Sequence, residues 1–285
     1  MATAIPALNC RDKLLFLDQP CIMGILNVTP DSFSDGGHFL SVAAALQRAR
    51  AMVTEGTAII DVGGESTRPG AAPISVQEEL DRVLPVIEVI RAELPVIISI
   101  DTSKPEVMRA AVQAGAGFIN DVYALRAEGA LQAVVDLNHG QSIPVCLMHM
   151  QGEPRTMQQA PHYDDVTQEV HNFLAQRIQH CTDAGLPRDR LLIDPGFGFG
   201  KTLPHNLTLL NHLDALLQLQ LPLLVGLSRK SMIGMLLAAE ANERLHGSVA
   251  LAAIAVLKGA LIVRAHDVQA TVDAVKLAAA VRQAG

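Results

Sequence analysis

The chain has 285 residues, 49% of them hydrophobic and 18% charged, enough to bury a full core and far from the composition of a disordered chain. Its 22 basic and 29 acidic side chains leave a net charge of −7, which sets nucleic acid and anionic membranes aside as partners over most of the surface. An anionic ligand would need a local knot of Lys, Arg and His set against that field.

The stretch MATAIPALNCRDKLLF shows no cationic start followed by an apolar segment, and a cytoplasmic setting is expected. The run CIMGILN, ending at Asn27, reads as a first strand, followed by the loop VTPDSFSDGGHF. Val42, Ala45, Leu46, Ala49 and Val53 then fall on one helical stripe. AIIDVGG carries Asp61 and leads into a second long loop, GGESTRPGAAP. The pair Ser75 and Glu78 has capping-box spacing and predicts a helix start. PVIISID ends at Asp101, after which Ser103 and Glu106 repeat the capping spacing and Pro105 suits a first helical turn. GFIND ends at Asp121, PVCLMH at His149, RLLIDPG carries Asp194, LLVGLS ends at Ser228, and ALIVRAH ends at His266. A last stripe runs through Val268, Val272, Val275 and Ala279.

These eight runs are continuously apolar, as strands covered on both faces are, and each is followed by a helical segment with no low-complexity linker. The reading is an α/β protein, with residues 1–285 forming a single (β/α)8 TIM barrel domain; an open doubly wound sheet is the alternative. The longest apolar run, Val249 to Leu257, stops at Lys258, short of the ~20 residues a membrane helix needs. The four cysteines are scattered, with no CxxC pair, which excludes a zinc ribbon and fits a reducing compartment. With 3% aromatic residues and no Trp, a base-stacking platform is excluded as well.

In a barrel of this kind the active site lies at the C-terminal strand ends, so the polar residues that close each run are the candidates. They are Asn27, Asp61 with Glu65, Asp101, Asn120 with Asp121, His149, Asp194, the trio Ser228, Arg229 and Lys230, and Arg264 with His266. Strand ends are also polar simply because they reach water, but that does not explain eight in a row. Arg68, Arg229, Lys230, Arg264 and His266 would converge as the cationic pocket an anionic substrate requires. Asp101, Asn120 and Asp194 are expected to be buried, and a buried carboxylate needs a partner. That partner is either a protein group such as Lys230 or a flat, donor-rich ring such as a pterin or purine.

GFGFGKT (Gly196 to Thr202) imitates a phosphate loop but has three residues between its outer glycines where that motif needs four. Its glycines suit a close backbone approach or a strand-to-helix turn. His149 belongs to no HExxH pattern. Mg²⁺ held largely by substrate phosphates would need one or two protein oxygens, which Asn27 and Asp35 could supply. The two long loops read as lids that place Asp35 and Arg68 over the site and exclude water.

The segments GILNVTPDSFSDGG, IIDVGGESTRPGA, DTSKPEV, IND, CLMHMQG, LLIDPGFGFGK, GLSRKSMIG and VRAHDV together resemble the pterin-binding barrel family, in particular the bacterial dihydropteroate synthases. The resemblance runs from the first strand to the last helix; Ala265 stands where family members often carry a larger apolar residue. It implies a folate-biosynthesis transferase that joins 6-hydroxymethyl-7,8-dihydropterin diphosphate to 4-aminobenzoate with loss of pyrophosphate. By the same resemblance, Asp101, Asn120, Asp194 and Lys230 form the pterin pocket. Asn27, Arg264 and His266 form the diphosphate and Mg²⁺ site. Thr67, Arg68, Pro69, Phe199 and Ser228 form the aminobenzoate site, where sulfonamides would compete. Asp101, Lys230, Asp35 and Arg68 are the expected catalytic residues, and a homodimer is the expected assembly. The competing readings are a methyltransferase barrel using methyltetrahydrofolate, which needs no diphosphate site; a Schiff-base enzyme built on Lys230; and a non-catalytic pterin-binding paralogue.

Overall fold

The structure is a computed structural model that describes residues 7–29, 38–66, 72–153 and 156–284, with the side chains of residues 38–41 left aside. Eight parallel strands form the sheet: β3 (Cys21–Asn27), β4 (Ile59–Gly63), β5 (Ile97–Asp101), β6 (Phe118–Asp121), β7 (Val145–Met148), β8 (Leu191–Asp194), β9 (Leu224–Gly226) and β10 (Ile262–Ala265). Neighbours follow in the order β8-β7-β6-β5-β4-β3-β10-β9, and a parallel bridge between Ile193 and Leu223 joins the two ends, so the sheet closes into a TIM barrel. Every strand is one of the eight apolar runs.

Side chains alternate along each strand, and this alternation builds the site. Ile60, Val62, Ile98, Ile100, Ile119, Val145, Leu147, Ile193, Val225 and Val263 point outward and pack in one core with the surrounding helices. The intervening positions point inward. At the N-terminal end these are Met23, Ile59, Ile97, Phe118, Cys146, Leu192, Leu224 and Ile262, one apolar layer. Two or four residues further along, the same inward rows carry Asn27, Asp61, Asp101, Asn120, Asp194 and Arg264, because a period of two keeps them on one face.

The apolar layer is plugged by an element the sequence did not announce. A hairpin of β1 (Ala7–Cys10) and β2 (Lys13–Phe16) lays Leu8, Cys10, Leu15 and Leu17 across it. It sits so close that a β-carbon at Gly117 would lie 2.7 Å from the Cys10 carbonyl oxygen. The closed bottom leaves the opposite end of the barrel as the mouth.

The helical stripes hold. In α1 (His38–Glu55) Ala45 and Ala49 are buried, and in α9 (Val268–Gln283) Val268, Val272, Val275 and Ala279 are. Ser75 caps α2 (Val76–Glu93), its hydroxyl accepting from the Glu78 N–H at 3.1 Å. The second expected capping pair fails. α3 (Pro105–Ala114) is preceded by Lys104 at the cap position, with Pro105 opening the helix as expected, while the Ser103 hydroxyl donates to Asp121. A buried carboxylate is the stronger acceptor for that hydroxyl.

Candidate active site

Nine of the residues singled out from the sequence meet at the mouth. Asn27 and Asp101 close β3 and β5 on either side of Gly63, where an added β-carbon would stand 3.6 Å from Asn27 Oδ1 and 3.7 Å from Asp101 Oδ2. Asn120, next to last in β6, and Asp194, last in β8, are almost fully buried. Phe199 lies in the loop after β8, Ser228 and Lys230 follow β9, and Arg264 and His266 lie in and after β10. Asp35, Thr67, Arg68 and Pro69 lie outside the described residues.

The organising group is Asp61, a mid-strand residue of β4 that carried no assigned role. Fully buried, it accepts from Ser99 Oγ at 2.5 Å, Asn120 Nδ2 at 3.0 Å and Arg264 Nε at 2.6 Å. Arg264 in turn donates from NH2 to Asp101 Oδ2 at 2.7 Å. One carboxylate thus orients the amide of Asn120 and the guanidinium of Arg264, and that guanidinium orients a second carboxylate. Burial works to lower the Arg264 pKa, but Asp61 and Asp101 outweigh it and raise it. Asp101 is pushed above the usual carboxylate range, chiefly by burial, with Arg264 opposing and Asp61 adding to the shift.

Asp194 accepts from the Gly196 N–H at 2.7 Å, and burial raises its pKa to about 6. Lys230 does not pair with the carboxylates directly: its Nζ sits 4.2 Å from the centre of the Phe199 ring, a cation–π contact. Burial, then the neighbouring Arg264 charge, lowers the Lys230 pKa to about 8. Ser228 Oγ accepts from the His266 backbone N–H at 3.2 Å and lies 3.0 Å from His266 Nδ1. Burial, Arg264 and Arg229 drive the His266 pKa down to about 4, leaving a neutral imidazole at physiological pH.

Of the cationic pocket expected from the sequence, Lys230, Arg264 and His266 meet at the mouth and Arg229 does not. Arg229 is turned outward in a two-point pair with Asp267, at 2.6 and 3.0 Å, Arg264 is shared by two carboxylates, and His266 is uncharged. Two further strand-end candidates serve the scaffold. Asp121 accepts from Ser103 and from the N–H groups of Tyr123 and Leu125, closing the turn after β6. His149 is buried with its Nδ1 2.8 Å from Lys201 Nζ.

The glycine-rich loop is not a phosphate cradle. Gly196, Gly198 and Gly200 all have positive φ, and a β-carbon at Gly196 would lie 1.9 Å from the His149 carbonyl oxygen. Among the described residues no group of three or more His, Cys, Asp or Glu could hold a metal ion. Asn27 offers at the mouth the kind of hard oxygen donor that Mg²⁺ takes.

A barrel with a plugged bottom, whose mouth carries carboxylates, an amide and a cation beside one aromatic ring, is an enzyme of ring-ligand chemistry. The chain matches the family model for pterin binding enzymes over residues 23–266. It is 55% identical over 263 residues to the dihydropteroate synthase of Escherichia coli K12, covering 92% of each chain. Among solved structures it is similar to Xanthomonas albilineans dihydropteroate synthase with 4-aminobenzoic acid (54% identity, TM-score 0.91, 98% of this chain and 99% of that one). The Yersinia pestis dihydropteroate synthase in complex with a sulfonamide drug is similar too (50% identity, TM-score 0.92, 97% and 99%). The chain belongs to the pterin-binding enzyme family, within its dihydropteroate synthases.

Proposed function

We propose that the mouth of this barrel joins a dihydropterin diphosphate to 4-aminobenzoate, releasing pyrophosphate and 7,8-dihydropteroate, a transferase step of folate biosynthesis. The observation that supports it best is the gathering of Asp101, Asn120, Asp194 and Lys230 at one barrel end, where Asp61 and Arg264 tie Asn120 to Asp101. A pterin presents ring N–H and amino donors to the carboxylates and acceptors to Asn120 and Lys230.

In the reaction the bond between the pterin methylene carbon and the diphosphate oxygen breaks, and its electron pair leaves with pyrophosphate. The methylene is left as a cation delocalised into the ring, which the Asp101 carboxylate stabilises. The aniline nitrogen then forms the new C–N bond and loses a proton. Arg264 and His266, at the same strand end, are placed to meet the leaving group. Asn27, with Asp35, would hold Mg²⁺, which supplies charge neutralisation for the departing diphosphate when bound. Phe199, Ser228, Thr67, Arg68 and Pro69 are the residues proposed to receive 4-aminobenzoate, and sulfonamides would compete with it there. The aniline needs placement more than activation, so orientation is the main contribution.

This reading disfavours a methyltransferase barrel, which has no use for a diphosphate site, and a Schiff-base role for Lys230, whose Nζ rests against the Phe199 ring. The direct test is incubation with Mg²⁺, the pterin diphosphate and 4-aminobenzoate: pyrophosphate and dihydropteroate appearing in equal amounts support it, and their absence contradicts it. Asp101→Asn should lower turnover with modest loss of pterin affinity, and unchanged turnover removes Asp101 from the mechanism.

The assembly we propose is a homodimer. Met235 and Leu236 on α7 (Ser231–Leu237), Ile254 and Leu257 on α8 (Leu245–Leu257), and Leu277 and Val281 on α9 are large exposed apolar side chains on helices that pack next to one another. Light scattering should give twice the chain mass, and Ile254→Glu with Leu277→Glu should halve it. No helix among the described residues is long and apolar enough to cross a membrane, and a cytoplasmic location is proposed with this activity.

A further inference from the structure

Lys201 follows the glycine run where a phosphate loop would aim a lysine at its ligand, yet here the side chain turns inward and the residue is 3% exposed. Its ammonium has three donors and meets three acceptors: the Gly196 carbonyl at 2.9 Å, the Phe199 carbonyl at 3.1 Å and His149 Nδ1 at 2.8 Å. Burial, with the Lys201 charge adding to it, holds His149 far below the imidazole range, so its Nδ1 lone pair is free to accept. An amine taken out of water is costly to charge, and burial, opposed by Asp194 and aided by the Lys230 charge, lowers the Lys201 pKa to about 7; hydrogen bonds alone could be supplied by neutral groups. The same loop shows that they can: Tyr163 Oη donates to the Gly200 carbonyl at 2.8 Å and Gln158 Nε2 to the Gly198 carbonyl at 2.6 Å.

What the lysine adds is a single nitrogen that grips both ends of the turn. The Gly196 peptide gives its N–H to Asp194, and the Phe199 residue carries the ring against which Lys230 Nζ rests at 4.2 Å. A β-carbon at Gly198, midway between, would lie 3.3 Å from the Lys230 side chain, so the turn has little room to shift without moving Lys230. We propose that Lys201 is a positioning residue for the transfer step: by drawing the Gly196 and Phe199 carbonyls and His149 around one buried ammonium, it fixes the Phe199 ring as the wall of the aminobenzoate subsite. The proposal rests on the reading that Phe199 lines that subsite.

The test is a double-mutant cycle of Lys201→Met and Phe199→Ala in the full chain, with steady-state KM for each substrate and a thermal melt of every variant. Lys201→Met should raise the KM for 4-aminobenzoate about tenfold, the scale expected when a positioned group shifts by a fraction of an ångström, while the KM for the pterin diphosphate moves less than about threefold. The double variant should be no worse than the poorer single one, because both changes remove the same wall. Lys201→Gln, which keeps two N–H donors, should recover part of the loss, and it carries the cycle if the Met variant does not fold. In the parent protein, ¹⁵N-histidine spectra should show His149 Nδ1 unprotonated between pH 6 and 8. Additive effects in the cycle, equal rises in both KM values, or a doubly protonated His149 at pH 7 would overturn the proposal. A Phe199→Ala variant with both KM values unchanged would instead overturn the placement of Phe199, a result distinguishable from failure at Lys201 alone.

Discussion

Exchanging Asp194 for Asn keeps the side chain's shape and an acceptor for the Gly196 N–H, 2.7 Å away, and removes only the charge. Burial is the largest influence on this carboxyl and raises its pKa to about 6 from the ordinary 3.8, with the Gly196 N–H, Lys230, Lys201 and Arg264 pulling the other way. Because the folded value lies above the unfolded one, the fold disfavours the ionised form. The penalty is absent below pH 3.8 and complete above pH 6. At ~1.4 kcal/mol per pH unit the displacement amounts to about 3 kcal/mol, a large share of the 5–15 kcal/mol of a typical domain. Asp194→Asn should therefore be more stable than the parent at pH 8, by up to about 3 kcal/mol, and the advantage should fade as pH falls from 6 to 4. Urea denaturation at pH 8, 6 and 4 measures this, and calorimetric titration with a pterin should show binding to the variant weakened at least tenfold. An Asn variant less stable than the parent at pH 8, or an advantage that does not change with pH, would refute the argument that burial sets the state of this carboxyl.

Asp61→Asn leaves Arg264, a mostly buried cation, facing an amide in place of a carboxylate. Since Arg264 retains Asp101, the loss should be about 3 kcal/mol by urea denaturation, the lower end of the range for a broken buried ion pair, with turnover reduced about 100-fold as Asn120 and Arg264 lose their alignment. Gly196→Ala puts a β-carbon 1.9 Å from the His149 carbonyl at a φ of +68°, so a loss of at least about 3 kcal/mol in the melt and of pterin binding is expected. The His266 imidazole, with a pKa of about 4, should keep its neutral-form NMR shifts from pH 8 down to pH 5.5. Its folded value lies below the unfolded 6.5, so its share of stability is present above pH 6.5 and is lost as pH falls toward 4; a midpoint near 6.5 would contradict the burial described.

The barrel was legible because its strands are covered on both faces: CIMGIL and LLVGL show as unbroken apolar runs, and the polar residues that follow them sit at the mouth by construction. The hairpin of Ala7–Phe16 was not legible. Its strands are four residues each, and its inward set of Leu8, Cys10, Leu15 and Leu17 has meaning only against a barrel floor the local sequence does not reveal. At the site, polar strand ends announced Asp101, Asn120 and Asp194 but not who pairs with whom, since Arg264 and Asp61 are 203 positions apart in the chain. The expected cationic knot held in part: Lys230, Arg264 and His266 meet at the mouth, but charge counted along the sequence omits the carboxylates that folding brings opposite, and Arg229 turns to Asp267. Lys201 left a trace only in the glycines before it, which have positive φ values. Ser103 was misread as a cap because the competing acceptor, Asp121, lies on the next strand.

The most direct measurement of the central claim is a crystal structure of the protein with 7,8-dihydropteroate. The bicyclic ring should lie within hydrogen-bond distance of Asp101, Asn120, Asp194 and Lys230, with the benzoate portion against Phe199. A ring bound away from those four side chains, or at the hairpin end of the barrel, would contradict it.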